Sequence, residues 1–100
     1  MEGGFTKEMK ATEEVQKICD QVKSQAEEKA GTTFNQFQAI SYRSQVVAGM
    51  NYIIKVDVGN TPYNYVHLYV YQSLASDGST LEVTTIKTGM KESAPLEPIK

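Results

Sequence analysis

The sequence predicts an α+β domain: an antiparallel β-sheet of four to five strands wrapped around one long α-helix. Three observations carry this expectation. One stretch near the N-terminus repeats its apolar residues at helical spacing, the chain beyond residue 32 alternates with a period of two, and the alternating runs are joined by short connections. Short connections favour antiparallel neighbours, because parallel strands need a crossover of a dozen or more residues.

Residues 1 to about 11 include Gly3 and Gly4 and show no sustained pattern, so they read as a mobile N-terminal arm. The helix follows in "ATEEVQKICDQVKSQAEEKAG". Thr12 is the expected N-cap, and Glu13 and Glu14 place negative charge where the helix dipole favours it. Val15, Ile18, Cys19, Val22 and Ala26 form one apolar stripe, with Gln16, Lys17, Asp20, Lys23, Glu27 and Glu28 mostly on the other sides. Gly31 can adopt the left-handed conformation that ends such a helix.

In "NYIIKVDVG" the even positions Tyr52, Ile54, Val56 and Val58 are apolar, Lys55 and Asp57 point the other way, and Ile53 is the exception. In "YNYVHLYVYQSL" the even positions give Val66, Leu68, Val70 and Leu74, and the odd positions give Tyr63, Tyr65, His67, Tyr69 and Tyr71. A further strand runs through "TLEVTTIKT". The stretch "TFNQFQAISYRSQVV" has strand composition but mixed phase: Phe34, Ile40 and Tyr42 are even, whereas Phe37 and Ala39 are odd. A bulge would reconcile the two sets without the sequence saying where it lies. The helical stripe covers the aliphatic face of the sheet. His67 and the tyrosines fall on the other face, expected to be uncovered, and the tail from about residue 89 to 100, with its two prolines, is expected to be irregular.

A chain of 100 residues accommodates one domain, spanning 1–100. Ten basic and twelve acidic residues leave a net charge of −2, mixed along the chain, which argues against nucleic acid as a partner. The opening "MEGGFTKEMK" has no apolar leader, the single cysteine has no disulfide partner within the chain, and no apolar run is long enough to span a bilayer. A cytoplasmic protein without a membrane role is the expectation. Catalysis finds no support. Cys19 lies in the apolar stripe, where a thiol is normally inert, and His67 reads as a surface strand residue. No spacing suits a metal and no glycine-rich loop follows a strand, so no cofactor is expected.

The stretch "SQVVAGMN" is unusual, because the approach to a chain reversal is Val46, Val47 and Ala48, followed by Gly49. Turns are ordinarily polar. Spacing alone allows two readings: strand-end valines with a turn glycine, or an apolar tip presented to a concave partner. In a meander the reversal "SLASDGS", led by Leu74, falls at the same end of the sheet, and the glycine-bearing arm can pass the same edge.

"QVVAG" at 45–49 matches the Q-x-V-x-G motif of the cystatins. "SQVVAGMNYIIKVDVG", "YVHLYVYQSL" and the helix "DQVKSQAEEKAG" resemble the stefins, the small intracellular branch without signal peptide or disulfides. The resemblance spans about Gly3 to Thr88. It implies the cystatin-like fold and reversible, competitive inhibition of papain-like cysteine proteases such as the cathepsins. In that family an N-terminal trunk and two hairpin loops enter the protease cleft. Carried over by residue, the trunk is Gly3 and Gly4, the first loop is Gln45, Val46, Val47, Ala48 and Gly49, and the second begins at Leu74 and Ala75. Three positions depart from the family pattern. Leu74–Ala75 stands where Leu-Pro is usual, Met50 replaces a small polar residue, and the tail lacks an acidic, aromatic-ended finish. A monomer is expected, with strand exchange through the first hairpin into a swapped dimer, or another self-associating role, as the rival reading. A small-ligand site in the sheet's concavity is disfavoured, because the helix fills it.

Overall fold

The computed structural model describes residues 4–59, 64–74 and 80–98. In chain order these form β1 (Met9–Lys10), α1 (Glu13–Ala30), β2 (Gln38–Val47), β3 (Gly49–Asp57), β4 (Tyr65–Gln72) and β5 (Leu81–Met90). The strands make one antiparallel sheet in the order β1-β2-β3-β4-β5, and α1 crosses one face of it. Residues 60–63, Tyr63 among them, lie outside the described residues, as do Gly3 and Ala75.

Local chemistry sets the ends of α1. The Thr12 hydroxyl accepts a hydrogen bond from the Val15 amide at 3.3 Å, which satisfies one of the free N–H groups of the first turn. At the other end Gly31 takes φ 75° and its amide donates to the Glu27 carbonyl. The stripe of Val15, Ile18, Cys19, Val22 and Ala26 is buried as its spacing predicts. Two glutamines on the helix flanks fix how it lies across the sheet. Gln16 donates to the Phe37 carbonyl and accepts from the Ala39 amide, while Gln25 donates to the Leu81 carbonyl and accepts from the Val83 amide. Each carboxamide pairs with strand-edge backbone, one beside β2 and one beside β5, so the helix is tied to both sides of the sheet.

The main core lies between α1 and the face bearing Ile54, Val56, Val66, Leu68, Val70 and Val83. Ile54→Val removes one methylene from this layer and is expected to cost about 1 kcal/mol in urea unfolding, with an unchanged denaturant slope. The β2–β3 register shifts between Ala39 and Ser41. That is the bulge the mixed phase demanded, and it lets Ala39 and Tyr42 face the same core. Phe34 and Phe37 are not strand residues. They stack on one another at 5.5 Å in the connection before β2 and close the core beneath the end of the helix.

The second face of the sheet departs from expectation. His67 is 1% exposed and Tyr69 is buried, because the tail folds back over them instead of leaving that face open. Leu96 packs with Ile53 and Tyr69 in a small second cluster, which explains why an isoleucine sits on the otherwise polar side of β3. The described residues beyond Met90 form no strand or helix, yet the tail's carbonyls are fixed. Lys55 Nζ donates to Glu92, Arg43 Nη1 to Leu96 and the Tyr69 hydroxyl to Glu97. Residues 89 and 90, expected in the irregular tail, belong to β5. The arm is also corrected. Met9–Lys10 pair with Tyr42 and Ser41, and the Thr6 amide donates to the Ser44 carbonyl at 2.8 Å, so residues 6–11 lie along the edge of β2.

Candidate functional site

The β2–β3 hairpin turns within a single residue. Val46 pairs with Met50 and Val47 with Gly49, leaving Ala48 alone at the tip. So tight a reversal requires the φ of 120° that Gly49 adopts, and β4 passes close behind it. A Cβ on Gly49 would lie 2.4 Å from the Gln72 carbonyl oxygen and 2.9 Å from the Tyr71 hydroxyl. Glycine is therefore required twice, by conformation and by space. The Tyr71 hydroxyl donates to the Ala48 carbonyl, and Asn51 Nδ2 donates to Gln45 Oε1 at 3.0 Å across the hairpin. The tip is thus braced from its own base and from the neighbouring strand.

On this braced turn Val46 is 68% exposed, Ala48 is exposed and Val47 is half-buried. β4 runs back to the same end of the sheet, where Leu74 emerges 77% exposed. The base of the second hairpin is closed by Ser73 and Thr80. The Ser73 amide donates to the Thr80 carbonyl at 3.0 Å, and their hydroxyls lie 2.7 Å apart. The arm approaches along the outer edge of β2. Because it runs antiparallel to β2, the chain leading back from Thr6 heads towards the Val46 end, with Gly4 exposed and none of the described residues within 4 Å of a Cβ built there. The structure therefore brings Gly4, the 45–49 hairpin and Leu74 to one rim.

The rim holds no titratable group from Gln45 to Asn51. Elsewhere, burial pushes the Cys19 thiol up to about 12, which leaves it protonated and unreactive in the core. Burial, aided by the Lys55 and Lys87 ammonium groups, pushes His67 down to about 4, but it lies opposite Lys55 near the Tyr65 end of β4, away from the rim. No group of three His, Cys, Asp or Glu among the described residues could hold a metal, and no described helix is long and apolar enough to cross a membrane. What the rim offers is shape and apolar area.

Sequence reasoning did not find Asn51 or Tyr71. Both act through cross-strand register, Gln45 opposite Asn51 and Asn51 opposite Tyr71, and alternation within one strand carries no information about register.

Residues 3–91 match the cystatin domain family. The chain is 49% identical over 84 residues to Cystatin-A1 of Sus scrofa, covering 84% of this chain and 80% of that protein. It is 48% identical to Stefin-C of Bos taurus, covering 86% and 83%. Leukocyte cysteine proteinase inhibitor 1 of Sus scrofa is 52% identical over 81 residues, covering 81% of this chain and 77% of that protein. The chain belongs to the cystatin family, a family of protease inhibitors and not of enzymes.

Proposed function

We propose that the protein is a reversible, competitive inhibitor of papain-like cysteine proteases, the cathepsins among them, and that it blocks the active-site cleft with the rim formed by the arm, the 45–49 hairpin and the loop led by Leu74. The observation that carries this reading is the exposure of Val46 and Leu74 at the same end of one sheet. Apolar side chains left in water on a braced hairpin gain about 25 cal/mol per Å² when a groove covers them. The brace matters as much as the area, since a tip already held by Tyr71 and Asn51 loses little further freedom on docking. A family relative named for cysteine proteinase inhibition supports the choice of target.

Inhibition of this kind needs no reactive group in the inhibitor. A hairpin that turns within one residue fills the cleft without laying an extended peptide bond across the nucleophile in attackable geometry. The inhibitory form is the monomer, because exchange of strands through the first hairpin would straighten the Val47–Gly49 reversal and abolish the tip.

Titration of papain against the protein tests the reading. Stoichiometric, substrate-competed loss of activity is expected, from a species eluting as a monomer in size-exclusion chromatography. Val46→Asp should raise the inhibition constant at least tenfold, because a carboxylate would be carried into the groove, while the thermal midpoint stays within about 2 °C, as befits a side chain mostly in water. An Asp variant that inhibits as well as the parent excludes the first hairpin from the cleft.

A further inference from the structure

β1 is only two residues long, and such a strand is a weak anchor for an arm expected to enter a protease cleft. On the Gly4 side of β1, backbone pairing between the arm and β2 among the described residues comes down to the Thr6 amide on the Ser44 carbonyl, seconded by the Ser44 amide on the Thr6 hydroxyl. Other groups hold the rest. Arg43 Nε donates to the Thr6 carbonyl at 2.7 Å and its Nη1 to the Leu96 carbonyl at 2.5 Å, while its guanidinium carbon sits 5.8 Å from the centre of the Phe5 ring. Phe5 in turn packs on the cluster of Ile53, Tyr69 and Leu96. Lys55 repeats the arrangement two residues along β3 from Ile53. Its Nζ lies 3.2 Å from the Glu8 carboxylate of the arm and donates to the Glu92 carbonyl of the tail at 2.6 Å. Two cations, one on β2 and one on β3, each hold an arm residue with one hand and a tail carbonyl with the other.

We propose that the C-terminal tail positions the inhibitory arm: Arg43 and Leu96 seat Phe5 and Thr6 against the outer face, and so fix where the chain departs towards the rim. This rests on the inhibitory reading given above and adds a residue set that touches no protease. The guanidinium suits the task because its planar fork presents several N–H donors at once, and two carbonyls from opposite ends of the chain can share it. Leu96 supplies the apolar half of the seat. An arm seated in advance loses less freedom when it docks than one hinged only at β1, and the tail enters the affinity by that route.

A double-mutant cycle separates this role from ordinary packing. The inhibition constant for papain is measured for the full chain, for the chain lacking residues 1–4, for Arg43→Met and for the combination. Arg43→Met is expected to weaken inhibition about tenfold in the full chain and less than twofold once residues 1–4 are gone, because there is then little arm left to seat. Leu96→Ala should show the same dependence on the arm, and it stands in if Arg43→Met folds poorly. Equal losses in both backgrounds would overturn the proposal, since the effect would then run through the hairpin or through stability. Amide hydrogen exchange in the free protein gives a second reading that needs no protease. Exchange at Thr6 should quicken about tenfold in Arg43→Met, with Val22 and Ile54 unchanged, and an unaltered Thr6 amide sinks the proposal. Should the parent chain fail to inhibit papain, the inhibitory reading falls, and the exchange measurement still decides whether the tail seats the arm.

Discussion

Gly49→Ala is expected to raise the inhibition constant for papain by about a hundredfold and to lower the thermal midpoint by roughly 10 °C. Two costs combine. The φ of 120° at this position is closed to residues with a Cβ, and strain of that kind costs about 1–3 kcal/mol where the surroundings enforce it. The added carbon would also meet the Gln72 carbonyl oxygen at 2.4 Å, and that oxygen belongs to β4, where it cannot move away cheaply. The hairpin must therefore reopen, which displaces Ala48 from the Tyr71 hydroxyl and blunts the tip. For a domain of this size each kcal/mol lowers the midpoint by about 4–8 °C, and two tenfold steps in affinity need about 2.8 kcal/mol. Gly89→Ala is the matched control. Gly89 also has a positive φ, of 66°, but none of the described residues lies within 4 Å of a Cβ built there, so alanine there should cost about 1 kcal/mol in stability and leave inhibition unchanged. A Gly49→Ala protein as inhibitory as the Gly89→Ala protein would show that the shape of the first hairpin is irrelevant to binding.

The comparison of these two glycines also shows what a sequence can and cannot say. That Gly49 ends an apolar approach to a turn is visible in five letters. That its space is closed off by Gln72 is not, because the partner lies more than twenty residues away and is chosen by strand register. The helix was legible throughout, since its stripe, its Thr12 cap and its Gly31 terminator are all local signals. So was the need for a bulge in β2, where Ala39 and Tyr42 both had to reach one core.

The outer face was not legible, and the reason is physical. Alternation assigns residues to two faces and cannot say what covers the second. The tail does so largely through the carbonyls of Glu92, Leu96 and Glu97, groups that every sequence possesses, with Leu96 as the one buried side chain among its described residues. A single leucine between two prolines has no period. Ile53 was the available hint. An isoleucine on the polar side of an amphipathic strand marks a place where something apolar must land, and it lands beside Tyr69 under the tail.

The same cover makes His67 a second strong prediction, that stability falls as pH is lowered from about 6.5 to about 4 and that His67→Gln flattens this limb. The imidazole is 1% exposed and its Nε2 has no hydrogen-bond partner among the described residues. Lys55 faces it from β3 and Lys87 from β5, and the carboxylates of Glu8 in the arm and Glu97 in the tail only partly offset them. Burial first, and then the two ammonium groups, pull its pKa from the ordinary 6.5 to about 4. Between those values the unfolded chain binds a proton that the folded chain refuses, so acid favours unfolding by up to about 1.4 kcal/mol per pH unit, on the order of 3 kcal/mol across the interval. Above pH 6.5 the imidazole is neutral in both states and the contribution is complete. Glu8 acts in the same sense at lower pH. A hydrogen bond from Ser41, and then the Lys55 ammonium, hold its carboxyl below 4.5, so its contribution is present above that value and lost as pH falls through the folded pKa. Urea unfolding of the parent chain and of His67→Gln at pH 7, 5.5 and 4.5 distinguishes the two groups. Glutamine removes the titration and keeps a polar side chain of similar reach, so its stability should change little between pH 7 and 5.5 while the parent declines. Parallel curves for the two proteins would mean that His67 takes its proton in the folded state as readily as in water, and that the tail does not seal this face.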